Sequence, residues 1–92
     1  MTIEFQWDSD KAHSNVKKHR VTFEEAVSAF YDPLSLTIPD PDHSEGERRF
    51  QLLGISNRSR LLVVSHTDRG ENIRIISARP ATRQERKAYE SI

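Results

Sequence analysis

The chain has 92 residues, of which 30% are charged and 35% apolar, with no cysteine and a formal net charge of zero. That length supports one domain with a modest core, and the lack of thiols excludes disulfide, thiolate-metal and cysteine-nucleophile chemistry. No apolar run approaches the roughly 20 residues of a membrane span, and the opening MTIEFQWDSD has no basic or apolar leader pattern, so the expected setting is the cytoplasm, away from membranes.

In chain order, TIEFQW (2–7) alternates Ile3, Phe5 and Trp7 with polar residues and predicts a half-buried strand. Asp8 is placed to cap a polar helix over 9–20, whose only helix-spaced apolar residues are Ala12 and Val16. Thr22 and Glu25 form a T-x-x-E capping box, with Val21 and Ala26 as its hydrophobic staple. That box predicts a second helix through Phe30, which stops before Asp32–Pro33. LSLTI (34–38) predicts a short strand and PDPDHSEGE (39–47) a turn-rich loop.

Three strands follow, over 48–55, 60–67 and 72–78, joined by short Asn-, Asp- and Gly-bearing connections. A second capping box, Thr82 with Glu85, opens a last helix that ends near Tyr89. The order β-α-α-β-β-β-β-α implies an α+β fold around a central antiparallel sheet.

The zero net charge conceals a division. Residues 1–46 carry four Lys/Arg and nine Asp/Glu, a balance of −5; residues 47–92 carry ten and five, a balance of +5. Nine of those ten bases are arginine, whose planar fork suits phosphate or carboxylate better than an ammonium does. The division describes either one mixed, solvated surface or a polarised one that holds an anion.

Simple alternation places Arg74 with Ile76 and Ala78, and Arg79 in phase with Ile73, Ile75 and Ser77. Arg49 shares a face with Gln51 and Leu53, and His66 with Leu62 and Val64, near the hairpin bearing Arg69. Arginines gathered on adjacent strands stabilise the charge of a phosphodiester passing through a pentacoordinate state, and a histidine moves protons near neutral pH. Each residue also has a structural reading: Arg74 as a partner of Glu71, Arg79 as a carbonyl cap, Arg69 as a solvated turn residue.

KKHR (17–20) ends the first helix. Lys17, Lys18 and His19 either complement the negative end of the helix dipole or clamp a nucleic-acid backbone. Arg83 and Tyr89 belong to the last helix, where Tyr89 either stacks on a base or packs against the sheet. There is no phosphate-binding glycine loop, no nucleophile elbow and no H-x-x-x-H or H-x-H pair. His43 with Asp40, Asp42 and Glu45 matches no metal-site spacing and reads as solvated loop. The expectation is chemistry without metal or cofactor.

Three segments carry a family resemblance: FQWDSDKAHSNVKKHRVTFEEA (5–26), ERRFQLLG (47–54) and RIISARPATRQERKAY (74–89). With their W-D, K-x-x-x-N and K-H pattern, R-F-x-x-x-G strand and I-S-A-R-x-A-x-x-x-E-R close, they resemble the BrnT-type toxins of bacterial type II toxin–antitoxin pairs. The resemblance implies one BrnT-like domain over 1–92 with a fold like the RelE-type toxins. It also implies an RNA-cleaving activity that halts translation, and a cognate antitoxin through which alone the pair contacts DNA.

Carried over by position, Arg49 lies in the R-F-x-x-x-G strand and Arg79 in the I-S-A-R motif. His66, Arg69 and Arg74 lie on neighbouring segments where toxins of this fold place charged active-site residues. No pair of histidines stands at matching strand positions, so the implied reaction is led by arginine. The 2′-hydroxyl attacks the adjacent phosphate, and His66 or water shuttles protons.

Two other readings remain at this stage. One is a non-catalytic module whose basic half docks an acidic partner within a DNA-binding complex. The other is a plain RNA-binding protein, for which two tyrosines, four phenylalanines and one tryptophan make a poor stacking platform.

Overall fold

The computed structural model describes residues 3–43 and 46–91; Thr2 of the first expected strand and Glu45 of the acidic loop lie outside them. The elements are β1 (Phe5–Gln6), α1 (Ser9–His19), α2 (Phe23–Ala29), β2 (Leu36–Pro39), a 3-10 turn (Pro41–His43), β3 (Arg49–Ile55), β4 (Leu61–Arg69), β5 (Asn72–Pro80) and α3 (Arg83–Glu90). This is the expected order.

The sheet runs β1-β5-β4-β3-β2, with β2 through β5 an antiparallel meander. β1 joins the far edge parallel to β5, pairing Phe5 with Ile73 and Gln6 with Arg74, so the sheet is mixed. Among the described residues of the first expected strand, 3–7, only Phe5 and Gln6 are paired as strand. Trp7 instead turns its ring edge-on to Phe23, with centroids 5.8 Å apart.

α1 and α2 cover one face of the sheet. Val21, Phe23, Ala26 and Ala29 close there on Leu52, Leu62, Val64, Ile75 and Ala78, all buried. α2 can approach closely because β3 carries Gly54, where a Cβ would stand 2.6 Å from the Ala29 carbonyl oxygen.

α1 docks mainly by a polar side chain. The amide nitrogen of Asn15, which is buried, donates to the carbonyls of Val21 (2.9 Å) and Ala78 (2.8 Å), and its oxygen accepts from the Ala78 N–H (3.1 Å). β1 pairs only as far as Arg74, so this amide satisfies a stretch of β5 edge that has no strand beside it. Val16, expected on the buried face of α1, is 40% exposed.

The capping boxes differ. At α3 the box is complete: Thr82 Oγ1 accepts from the Glu85 N–H and the Glu85 carboxylate accepts from the Thr82 N–H. At α2 only half of it forms. Thr22 Oγ1 accepts from the Glu25 N–H at 3.0 Å, but the Glu25 carboxylate turns inward to Arg60 and to Ser56 Oγ. A charged partner outbids the N-cap N–H for it, because charge-assisted hydrogen bonds are roughly twice as strong as neutral ones.

The alternation expected for β5 is broken by a bulge. Ser65 pairs with Ser77 but His66 with Ile75, leaving Ile76 as the extra residue. Ile75 and Ala78 both enter the core, and Arg74, Ser77 and Arg79 share the other face, opposite Thr67, Ser65 and Val63. Arg74 therefore does not share a face with Ala78, nor Arg79 with Ile75: one inserted residue inverts the phase between them.

Candidate active site

The sheet face away from α1 and α2 carries three cross-strand ranks over β3, β4 and β5. They are Arg49–Thr67–Arg74, Gln51–Ser65–Ser77 and Leu53–Val63–Arg79. Beside the last rank, Leu36, Ile38, Gln51, Leu53 and Val63 line a cavity of about 140 Å³ together with Glu85 and Ala88 of α3. The first two ranks are polar: Arg49, Arg74, Gln51, Ser65 and Ser77 are half-buried, and Thr67 between the two arginines is buried, its hydroxyl donating to the Arg48 carbonyl at 2.6 Å. Arg49 and Arg74 lie two strands apart, roughly 10 Å between backbones. That is a span two long guanidinium side chains can close around one phosphate.

Beside this rank the Glu47 carboxylate approaches Arg49 Nε at 3.6 Å and Arg69 at 3.8 Å, one oxygen to each. Arg49, Arg69 and Arg74 are thus brought to one end of the open face. Among the described residues Arg74 enters no ion pair, although Glu71 stood as a sequence candidate for one.

Arg79 is held differently. Its two terminal nitrogens each meet one Glu85 oxygen at 2.8 Å, a bidentate pair that ties the end of β5 to the first turn of α3. The Arg79 guanidinium pulls the Glu85 carboxyl down to about 2, and Glu85 in turn raises Arg79 above its ordinary value.

His66 faces the other way. It is buried, with its ring edge-on to Phe30 (4.9 Å between centroids) and stacked on Phe50 (5.9 Å). Its Nδ1 lies 3.2 Å from the Val64 carbonyl. Burial lowers its pKa against the opposing pull of that carbonyl and of Asp68. The phase expected from Leu62 and Val64 is kept, and that phase is the core side, so His66 does not reach the open face.

Lys18 and His19 line a second cleft of about 290 Å³ with Asp10, Lys11, Ile76 and Ser77, while Lys17 is exposed beside them. Arg83 is exposed on the first turn of α3. Tyr89 donates its hydroxyl to Asp32, which pushes the phenol up to about 12. Asp32 also accepts from the N–H groups of Leu34 and Ile55 at 2.9 and 2.8 Å. Burial opposes its ionisation, but these three donors outweigh it and lower its pKa. In the sequence, Asp32–Pro33 reads only as a helix stop.

The open face also gathers residues that the sequence reading set aside. A cleft of about 220 Å³ is lined by Asp40, His43, Arg49, Gln51, Ser65, Ile76 and Ser77. The 3-10 turn brings His43 Nδ1 to 3.0 Å from Asp40 Oδ2, and the Asp40 N–H is fixed by the Arg49 carbonyl at 2.9 Å. The available signal was the i, i+3 spacing of Asp40 and His43 across a proline-started turn. Ile76 and Ser77 line both this cleft and the one beside Lys18, so the bulge of β5 is the ridge between them. Among the described residues, no three His, Cys, Asp or Glu side chains converge as metal ligands, and no helix is long and apolar enough to cross a membrane.

A family model described as the ribonuclease toxin BrnT of type II toxin–antitoxin systems matches residues 7–85. Among solved structures, the Brucella abortus ribonuclease toxin BrnT is similar over 89% of this chain and 100% of its own, with 24% identity and a TM-score of 0.65. That likeness is one of fold. No curated protein matches the sequence. The family match spans the motifs from Trp7 through Glu85, so the chain belongs to the BrnT family of ribonuclease toxins of type II toxin–antitoxin systems, RNA-cleaving proteins paired with an antitoxin.

Proposed function

We propose that this toxin cleaves RNA without a metal or cofactor, on the open sheet face. Arg49 and Arg74 grip the scissile phosphate, and Arg69 steadies its neighbour. The observation carrying this reading is the single rank Arg49–Thr67–Arg74 across three strands of a rigid sheet. Guanidinium groups held there in advance need little reorganisation as the phosphorane gains charge.

The ribose 2′-hydroxyl attacks the adjacent phosphorus and the bond to the 5′-oxygen breaks, leaving a 2′,3′-cyclic phosphate and a 5′-hydroxyl. Arg79, paired to Glu85, bounds the far end of the groove and holds α3 down. Lys17, Lys18 and His19 lie across the Ser77 ridge, where they take the RNA backbone beyond the cut, and Arg83 and Tyr89 stand outside this path. His66 supports β4 from behind.

The antitoxin neutralises the toxin by covering the open face. DNA contact by the complex is assigned to the antitoxin. The setting of this activity is the cytoplasm.

The test is end-labelled single-stranded RNA in excess EDTA. Wild type is expected to leave cyclic-phosphate ends, and Arg49→Ala or Arg74→Ala to lower the rate on the order of 100-fold or more. Full activity in both variants, or loss of wild-type cleavage on chelation, would overturn the reading.

A further inference from the structure

We infer that His43 is the proton-transfer residue of the cleavage reaction and that Asp40 is its positioning residue. The inference rests on the open-face reading above and completes it, since the arginines of that face carry charge but do not exchange protons at neutral pH.

Three observations place the pair. First, His43 lies on the wall of the cleft that contains Arg49, Gln51, Ser65 and Ser77. A phosphate held at the arginine rank would therefore have an imidazole beside it. Second, the Nδ1 edge of His43 is engaged, 3.0 Å from Asp40 Oδ2. A carboxylate on Nδ1 fixes that nitrogen as N–H and leaves Nε2 as the basic, substrate-facing position. Third, the two partners are unequally solvated: the His43 side chain is 65% exposed and that of Asp40 only 13%. The orienting group is held in the wall while the reacting group is reachable.

Asp40 is also anchored through its backbone, by its N–H to the Arg49 carbonyl at 2.9 Å, and its carboxylate lies 3.5 Å from Gln51 Nε2. Among the described residues, the charged groups of this cleft beside His43 are Asp40 and Arg49 on β3, which approaches Glu47 at 3.6 Å, and Asp42 shares the turn of His43. Gln51 on β3, Ser65 on β4 and Ser77 on β5 are neutral. His66, the histidine favoured from the strand pattern, is buried behind the sheet.

The step balances without a co-reactant. His43 Nε2 takes the proton of the 2′-hydroxyl as the O2′–P bond forms. The P–O5′ bond breaks, and the departing 5′-oxygen receives a proton from the imidazolium, directly or through water. Neutral imidazole returns, and the products are the cyclic phosphate and the 5′-hydroxyl end.

The experiment compares wild type, His43→Ala, His43→Gln and Asp40→Asn on a short RNA in EDTA. Cleavage is followed from acid to neutral pH with and without added imidazole. Affinity is measured separately on an oligonucleotide with a 2′-deoxy residue at the cut. His43→Ala is expected to lose on the order of 100-fold or more in rate, with unchanged affinity and melting temperature, and to regain activity with imidazole. Wild-type rate should rise with pH, and that limb should vanish in His43→Gln. Asp40→Asn should retain the limb with a lower plateau.

If wild type leaves cyclic ends and His43→Ala cuts at the same rate with the same pH profile, the assignment to His43 fails while the arginine site stands. If wild type leaves 5′-phosphate ends or stops in EDTA, the site reading and this inference fall together.

Discussion

Asn15 on α1 and Ala78 on β5 exchange two hydrogen bonds, side-chain amide to backbone, across 63 residues of sequence. They join the K-x-x-x-N motif to the I-S-A-R motif. The bonds hold the strand just past its bulge, between Ser77 of the open face and Arg79. Asn15→Ala would leave three buried backbone groups without partners, those of Val21 and the two of Ala78. At about 1–3 kcal/mol for each of the three groups, urea unfolding should show a loss of about 3 kcal/mol or more. A loss below about 1 kcal/mol would mean that water takes over the amide's role.

Gly54→Ala tests a different constraint. The added methyl would meet the Ala29 carbonyl oxygen at 2.6 Å, and that oxygen is backbone at the end of α2, so the helix itself must move. Overpacking of this kind costs about 1–3 kcal/mol. The glycine of the R-F-x-x-x-G motif is thus a packing requirement. Thermal melting should fall while RNA affinity stays near wild type; an unchanged melting point would show that α2 shifts without cost.

These two residues show what could be read in advance. Helix order, both T-x-x-E signals and the meander follow from local periodicity and turn chemistry, which a sequence carries within a few residues. The bulge at Ile76 depends on pairing with β4 and has no local mark, so the faces of Arg74 and Arg79 came out wrongly related. Asn15 offers no apolar signal, and its role exists only because β1 stops short. His43 was set aside because a metal was the only chemistry its acidic neighbours suggested. The Asp40 carboxylate was within reach of a local i, i+3 signal, but the cleft shared with Arg49, Ser65 and Ser77 exists only in three dimensions. The buried face of β4 was legible at His66, but its consequence, removal from the substrate side, needed the position of α2.

The Arg79–Glu85 pair predicts an acid limb of stability. Glu85 ionises near 4.5 ordinarily and at about 2 in the folded chain. The unfolded state therefore binds more protons between those values, and the pair's contribution is full above 4.5 and lost as pH falls towards 2. Because the two side chains remain 35% and 29% exposed, solvent screening holds the contribution to about 1–2 kcal/mol. Denaturant titrations should show Glu85→Gln less stable than wild type at neutral pH, with the gap closing as pH drops from about 5 to 2. A gap independent of pH would assign the effect to the α3 capping box instead.

His66 gives a limb nearer neutrality and a check on which histidine acts. Burial between Phe30 and Phe50 holds its pKa below the ordinary 6.5, with the Val64 carbonyl and Asp68 pulling the other way. The unfolded chain then takes up the proton first. Stability from the neutral ring is complete above 6.5 and is lost as pH falls through that value towards the folded one. His66→Phe keeps a ring between the two phenylalanines and removes the titration, so its stability should vary less with pH across this window. RNA cleavage in that variant should stay within a few-fold of wild type, because the ring lies behind the sheet that binds the phosphate. A loss of cleavage comparable to that of His43→Ala, with the melting temperature retained, would return the proton transfer to His66.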